Sequence, residues 1–159
     1  MPTTLPESEL VRLLPGSWTV AATNFPMWLT GKRLEPVLNY EIVTEKPLVF
    51  KDVVRYTTDT GEAKSIVGVD KYRGRGFTWR GKGLLGLVAS HWLASGANSE
   101  GTVLAIQYEK TLFTPAGIDI IVREGVDVPE VRTIVATDAA AYGLTLEKFA
   151  SLTWMHGVK

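Results

Sequence analysis

The sequence predicts an all-β domain of eight antiparallel strands, closed as a barrel or a sandwich, with one short helix before the sheet and another after it. Three features carry that prediction. Residues 17–124 fall into short runs rich in Val, Ile, Thr and aromatics with a period near two, turn residues separate those runs, and helical spacing occurs only at the two ends. An open sheet of these strands would leave unpaired edges, and closure removes them. With 159 residues and no linker, repeat or low-complexity tract, residues 1–159 are expected to form a single domain.

Taken in order, residues 5–14 make the first helix. Pro6 lies near its first turn, Leu10, Leu13 and Leu14 share a face, and Pro15-Gly16 ends it. Strands are expected at 17–24, 36–44, 48–57, 63–70, 76–80, 87–95, 101–110 and 117–124. Turn chemistry separates them at Thr58-Asp59-Thr60-Gly61, Arg73-Gly74-Arg75-Gly76, Gly96-Ala97-Asn98-Ser99 and Thr114-Pro115-Ala116-Gly117. After Asp127-Val128-Pro129-Glu130, the residues Val131, Ile134, Val135 and Tyr142 recur at helical spacing. Asp127 would cap that helix, Pro129 would sit in its first turn and Gly143 would stop it, although Asp138 falls on the apolar stripe. The closing LEKFASLTW alternates in the manner of one last short strand.

Composition narrows the function. Seventeen Lys and Arg balance seventeen Asp and Glu, so no bulk field draws the molecule to nucleic acid or an anionic membrane. The sequence contains no cysteine, which excludes disulfides and thiolate catalysis and fits a reducing compartment. MPTTLPESEL has neither the basic nor the apolar part of a secretory leader, and no apolar run approaches the ~20 residues that cross a bilayer. A cytoplasmic protein is expected.

Gly16-Ser17-Trp18 at the mouth of the first strand and Arg123 at the end of the eighth, just before the second helix, resemble the first and last motifs of the lipocalins. Ala22 and Pro26, and the Pro-Glu start and Gly-Leu-Thr exit of the terminal helix, are most similar to the bacterial lipocalins related to apolipoprotein D. The middle departs from the family. Its Thr-Asp-x-x-Tyr motif is replaced by ASGANSEGTVLAIQYEKT, and the leader and disulfides common in the family are missing. The resemblance implies an eight-stranded up-and-down antiparallel barrel with the C-terminal helix packed on it. It also implies binding of a fatty acid, lysolipid, isoprenoid, pigment or similar small hydrophobic or amphipathic metabolite.

The residues themselves set out the chemistry. A barrel of about eight strands is just wide enough to be filled or to hold one small ligand, so its ends matter. Gly16, Trp18 and Arg123 are expected to close one end, with the guanidinium over the indole face. If Arg123 points into that end, Ile121 and Asp119 share its side, and Ile118, Ile120 and Val122 lie outside under the helix. Asp119 would then stand in or beside the hollow, either as a ligand anchor or proton carrier or, more commonly, as a rim carboxylate paired with Lys or Arg. Leu38, Tyr40 and Ile42 share one face of their strand, as do Phe50, Asp52, Val54 and Tyr56 of the next. The set Trp28, Tyr40, Phe50, Tyr56, Trp79, His91, Trp92 and Asp119 is the expected ligand-binding group, with Phe25 a further aromatic and Trp28 in a first loop over the open mouth. Each aromatic could equally be core filler.

Other chemistries have thinner support. KYRGRGFTWRGKG, residues 71–83, carries five cations and no acid. That pattern suits a solvated hairpin tip better than nucleic acid, and Arg80 or Lys82 could meet an anionic ligand head. His91 and His156 are the only histidines and lack metal-ligand spacing, and no GxSxG elbow is present; no metal or cofactor is expected. An isomerase, cyclase or dehydratase using Asp119, His91 or Tyr40 as acid or base is the alternative to a binder, and a ligand-free interaction module with a solid interior is a third.

Overall fold

A computed structural model describes residues 4–83 and 89–155. Its element order is α1 (Glu7–Leu13), β1 (Gly16–Thr23), α2 (Pro26–Leu29), β2 (Arg33–Glu45), β3 (Leu48–Thr58), β4 (Ala63–Tyr72), β5 (Phe77–Gly81), β6 (Ala89–Ala97), β7 (Val103–Tyr108) and β8 (Gly117–Arg123). There follow α3 (Val131–Thr137), a 3-10 turn (Ala139–Tyr142), α4 (Leu146–Ala150) and β9 (Thr153–Trp154). Strands β2 to β8 pair with their sequence neighbours, and β1 bonds both β8 and β2, which closes the sheet as an up-and-down antiparallel barrel rather than a sandwich. No helix among the described residues is long and apolar enough to cross a membrane.

Alternation along the strands builds two cores. One fills the closed end of the barrel with Leu10 of α1, Leu14 just after it, Trp18, Leu38, Tyr40, Phe50, Phe77, Trp92, Leu104, Ile106 and Ile121. The other lies outside, where Ile118, Ile120 and Val122 of β8 meet Val131, Val135, Tyr142 and Leu152 of the C-terminal segment. The parity inferred from Arg123 therefore holds along the whole of β8.

The closed end is fastened by backbone-directed bonds. The Arg123 guanidinium lies 3.9 Å from the centroid of the Trp18 ring and donates to Leu13 O and, at 2.7 Å, to Pro15 O. Trp18 Nε1 donates to Leu14 O at 3.0 Å, so strand and helix end are tied from both sides. Gly16 takes φ +117°, and a Cβ there would come within 2.5 Å of Arg123 Nη1; both backbone and space require glycine.

The C-terminal segment departs from the sequence expectation. Residues 146–152 do not form a strand: Thr145 accepts from Lys148 N and caps a helical turn, α4, and only Thr153–Trp154 pair with β1. The apparent period of two was the accident of a short segment; Phe149 and Leu152, three apart, are the residues that pack inward. The preceding helix also starts later and ends earlier than expected. Its N-cap is Glu130 in a left-handed conformation, so Asp127 and Pro129 precede it, and Asp138 interrupts it by turning its carboxylate onto Ala141 N. Gly143, at φ +71°, stops the run as anticipated.

Candidate ligand-binding site

The chain enters the open end of the barrel at residues 24–32, 59–62 and 109–116, and two of those loops cover a cavity of about 370 Å³. Pro26, ideal at a first helical position, turns part of the long first loop into α2, a feature without a periodic signal. That turn lays Phe25, Met27 and Trp28 over the opening. Thr111, Phe113 and Thr114 come from the β7–β8 loop, and Leu38, Asp52, Val54, Ile66, Trp79, Ser90, Tyr108 and Asp119 from the strands. Two contacts set this lining. Asn24 accepts from Ile118 N at 2.6 Å and anchors the loop, and Gly68 leaves room for Trp79, whose Nε1 would stand 2.3 Å from a Cβ there.

Beneath the cavity the barrel is packed with aromatic rings. Phe77 stacks on Trp92 at 4.7 Å, Tyr40 leans on Trp92 at 5.6 Å and Phe50 meets Phe77 edge-on at 5.7 Å. Thus Tyr40, Phe50 and Trp92, expected to bind ligand, form the floor under the hollow instead of its lining. Trp28, Trp79 and Asp119 do line it. Tyr56 stands at the rim, edge-on to Trp28 at 6.2 Å with the Arg33 guanidinium 5.7 Å above its ring. His91 points outward, exposed, and shares a 3.0 Å hydrogen bond with Thr78. It belongs to an external cleft with Arg73, Arg75 and Glu109, away from the cavity. His156 lies outside the described residues, as do residues 87 and 88 of the expected sixth strand.

The buried polar groups are the unusual feature. Asp119 is 2 % exposed; the Thr23 hydroxyl and the Trp28 indole N–H interact with its carboxyl, yet Oδ1 has no partner among the described residues, and desolvation pushes its pKa up to about 7. Among the described residues no cation acts on it, and the rim ion pair with Lys or Arg does not form there. Deeper in the barrel, Asp70 accepts from Trp92 Nε1 at 2.9 Å and lies within hydrogen-bonding reach of Asp52. Two carboxyls so placed hold a proton between them, which accounts for the otherwise unpartnered Asp52 Oδ1 and Asp70 Oδ2. Burial raises Asp52 to about 6 and Asp70 well above the ordinary carboxylate range. Tyr40 and Tyr108 hydrogen-bond each other; burial first raises both phenols, then Tyr108 and the nearby carboxylates act on Tyr40, and the carboxylates on Tyr108, so both stay neutral.

Asp70 and Tyr108 were not singled out from the sequence, and Asp52 was placed on a face but not in a site. Their signal was parity: Asp70 faces both Phe50 and Trp79 across its neighbours, and Tyr108 shares a face with Leu104 and Ile106.

No protein-family model matches the sequence, and no curated protein matches it at a significant level. Solved structures do match in shape. Apocrustacyanin C2 superposes with a TM-score of 0.63 at 10% identity, over 97% of this chain and 88% of its own. Lobster apocrustacyanin A1 gives 0.61 at 12% identity over the same shares. The siderocalin Ex-FABP, described as functioning through dual ligand specificities, gives 0.61 at 12% identity over 89% of this chain and 93% of its own. The barrel has the lipocalin fold. Within that fold, Gly16, Trp18 and Arg123 occupy the closed end and the carboxyl-bearing hollow occupies the open one.

Proposed function

We propose that this protein binds a small hydrophobic or amphipathic molecule in the open half of its barrel, within the bacterial, apolipoprotein D-like branch of the lipocalins. The observation that carries the reading is the cavity itself. Its wall of Phe25, Met27, Trp28, Leu38, Val54, Ile66 and Trp79 is apolar, its floor is rigidly packed, and a few polar groups stand at fixed points, the usual make-up of a small-molecule site. Burying an apolar ligand there would contribute roughly 25 cal/mol per Å² removed from water, less the cost of ordering both partners. The lack of cysteine suits a binder working inside the cell. The resemblance of the Gly16, Trp18 and Arg123 motif residues to that branch supports the assignment.

Native mass spectrometry of the purified protein with an apolar probe such as 1-naphthylmethanol tests it. One molecule per chain, lost when Val54→Trp fills the hollow, is the expected result. No adduct in the wild type, or an adduct unaffected by Val54→Trp, overturns it.

A second reading, a non-redox enzyme on the same barrel, is favoured by Asp119, whose pKa near 7 is suited to moving protons at neutral pH. Conversion of excess substrate, abolished by Asp119→Asn with the fold intact, would replace the binder by the enzyme; stoichiometric binding without conversion would keep the binder.

A further inference from the structure

The polar chemistry of the cavity is one-sided. Of the side chains that line it, Asp52 and Asp119 are carboxyls, Ser90, Thr111, Thr114 and Tyr108 are hydroxyls, and among the described residues none is Lys, Arg or His. The Asp52–Asp70 pair satisfies itself with one shared proton and retains one negative charge when only that proton is held. Asp119 differs. Among the described residues it has no carboxyl neighbour to share a proton with, and its Oδ1 is buried at the wall without a donor. An acceptor held out of water in this way costs free energy until a donor arrives.

An anionic head would meet two sources of negative charge and, among the described residues, no cation. A neutral hydroxyl could donate one hydrogen bond but would leave the charge uncompensated. An ammonium supplies several N–H donors and the missing positive charge together, and charge-assisted bonds of this kind are the strong ones. The rings of Trp28 and Trp79 flank the same space, and their faces attract cations as well as hydrocarbon.

We propose that the cavity selects an apolar ligand bearing a basic nitrogen, held as an ammonium against Asp119 with its hydrocarbon part among Trp28, Val54, Ile66 and Trp79. The proposal rests on the cavity being a binding site and adds the chemical class of what enters it. Trp28 has two roles in this arrangement: its N–H holds Asp119 in place while its ring covers the ligand. Selection comes from Asp119, and affinity for the hydrocarbon from the wall.

Isothermal titration with three probes of one size, 1-naphthylmethylamine, 1-naphthylmethanol and 1-naphthylacetate, tests this at about pH 8, where Asp119 is ionised and the amine protonated. The amine is expected to bind on the order of tenfold tighter than the alcohol, and the acetate weakest. Asp119→Asn should erase the amine's advantage while leaving the alcohol within about threefold. Asp119→Leu, which removes the buried carboxyl with similar volume, should do the same and serves if the Asn variant does not fold. An amine no tighter than the alcohol, or a preference that survives loss of Asp119, overturns the proposal and leaves the binding site standing. Failure of all three probes removes the binding reading along with it.

Discussion

Asp119→Asn should make the protein more stable above neutrality and barely change it in mild acid. In the fold the Asp119 pKa rises from 3.8 to about 7, because burial disfavours the charged form more than Thr23 and Trp28 favour it. Between those values the folded chain binds a proton that the unfolded chain has lost, so stability is fully present below about pH 4 and drains away as pH rises through about 7. A rise of about 3 units at roughly 1.4 kcal/mol each sets a ceiling of about 4 kcal/mol for this one carboxyl. Water entering the neighbouring cavity lowers that to about half. Asn keeps the size and an acceptor for Thr23 and Trp28 but never ionises. Urea unfolding of both proteins from about pH 4.5 to 8 should therefore show the variant ahead by roughly 2–4 kcal/mol at the top of the range and level with wild type at the bottom. The variant should still lose some stability as pH rises, through Asp52, raised to about 6. Parallel profiles for the two proteins, or a wild type that gains stability with pH across this window, would refute the reasoning.

Other outcomes follow from the same contacts. Arg123→Ala removes the cation over Trp18 and strands the carbonyls of Leu13 and Pro15, at a cost of about 2–4 kcal/mol in chemical denaturation, of which Lys should restore less than half. Gly68→Ala forces Trp79 from its seat against β4 into the cavity, and probe affinity by titration should fall by about tenfold or more while the barrel's circular dichroism is kept. Trp92→Phe leaves Asp70 without its indole donor, and unfolding should become easier by about 1–3 kcal/mol, more at high pH than at low.

Much of the fold could be read directly because its signals are local and redundant. The turn after α1, the glycine at position 16 and the parity of β8 each point to the same closed end, and Arg123 links them through one side chain. The C-terminal error had a local cause too. The cap residue, Thr145, immediately precedes LEKFASLTW, and its hydroxyl accepts from Lys148 N to start the helical turn. The site was legible where parity could be anchored: Asp119 follows from Arg123, and Trp79 and Trp28 from the alternation and the loop. Which aromatics fill and which line was not legible. Tyr40, Phe50 and Trp92 face inward just as Trp79 does, and only their height along the barrel axis, fixed by the pairing registers, separates floor from wall. The same holds for Asp52 and Asp70, which meet only because β3 and β4 pair in a register that brings both inward at neighbouring levels.

The most direct test of the central claim is a crystal structure of the protein soaked with 1-iodonaphthalene, read from the anomalous signal of the iodine. The account predicts one strong site per chain inside the barrel, between Trp28 and Trp79 and above the Phe77–Trp92 stack. Iodine bound only in the external cleft by Arg73 and His91, or a barrel whose upper half is closed by its own side chains, would contradict it.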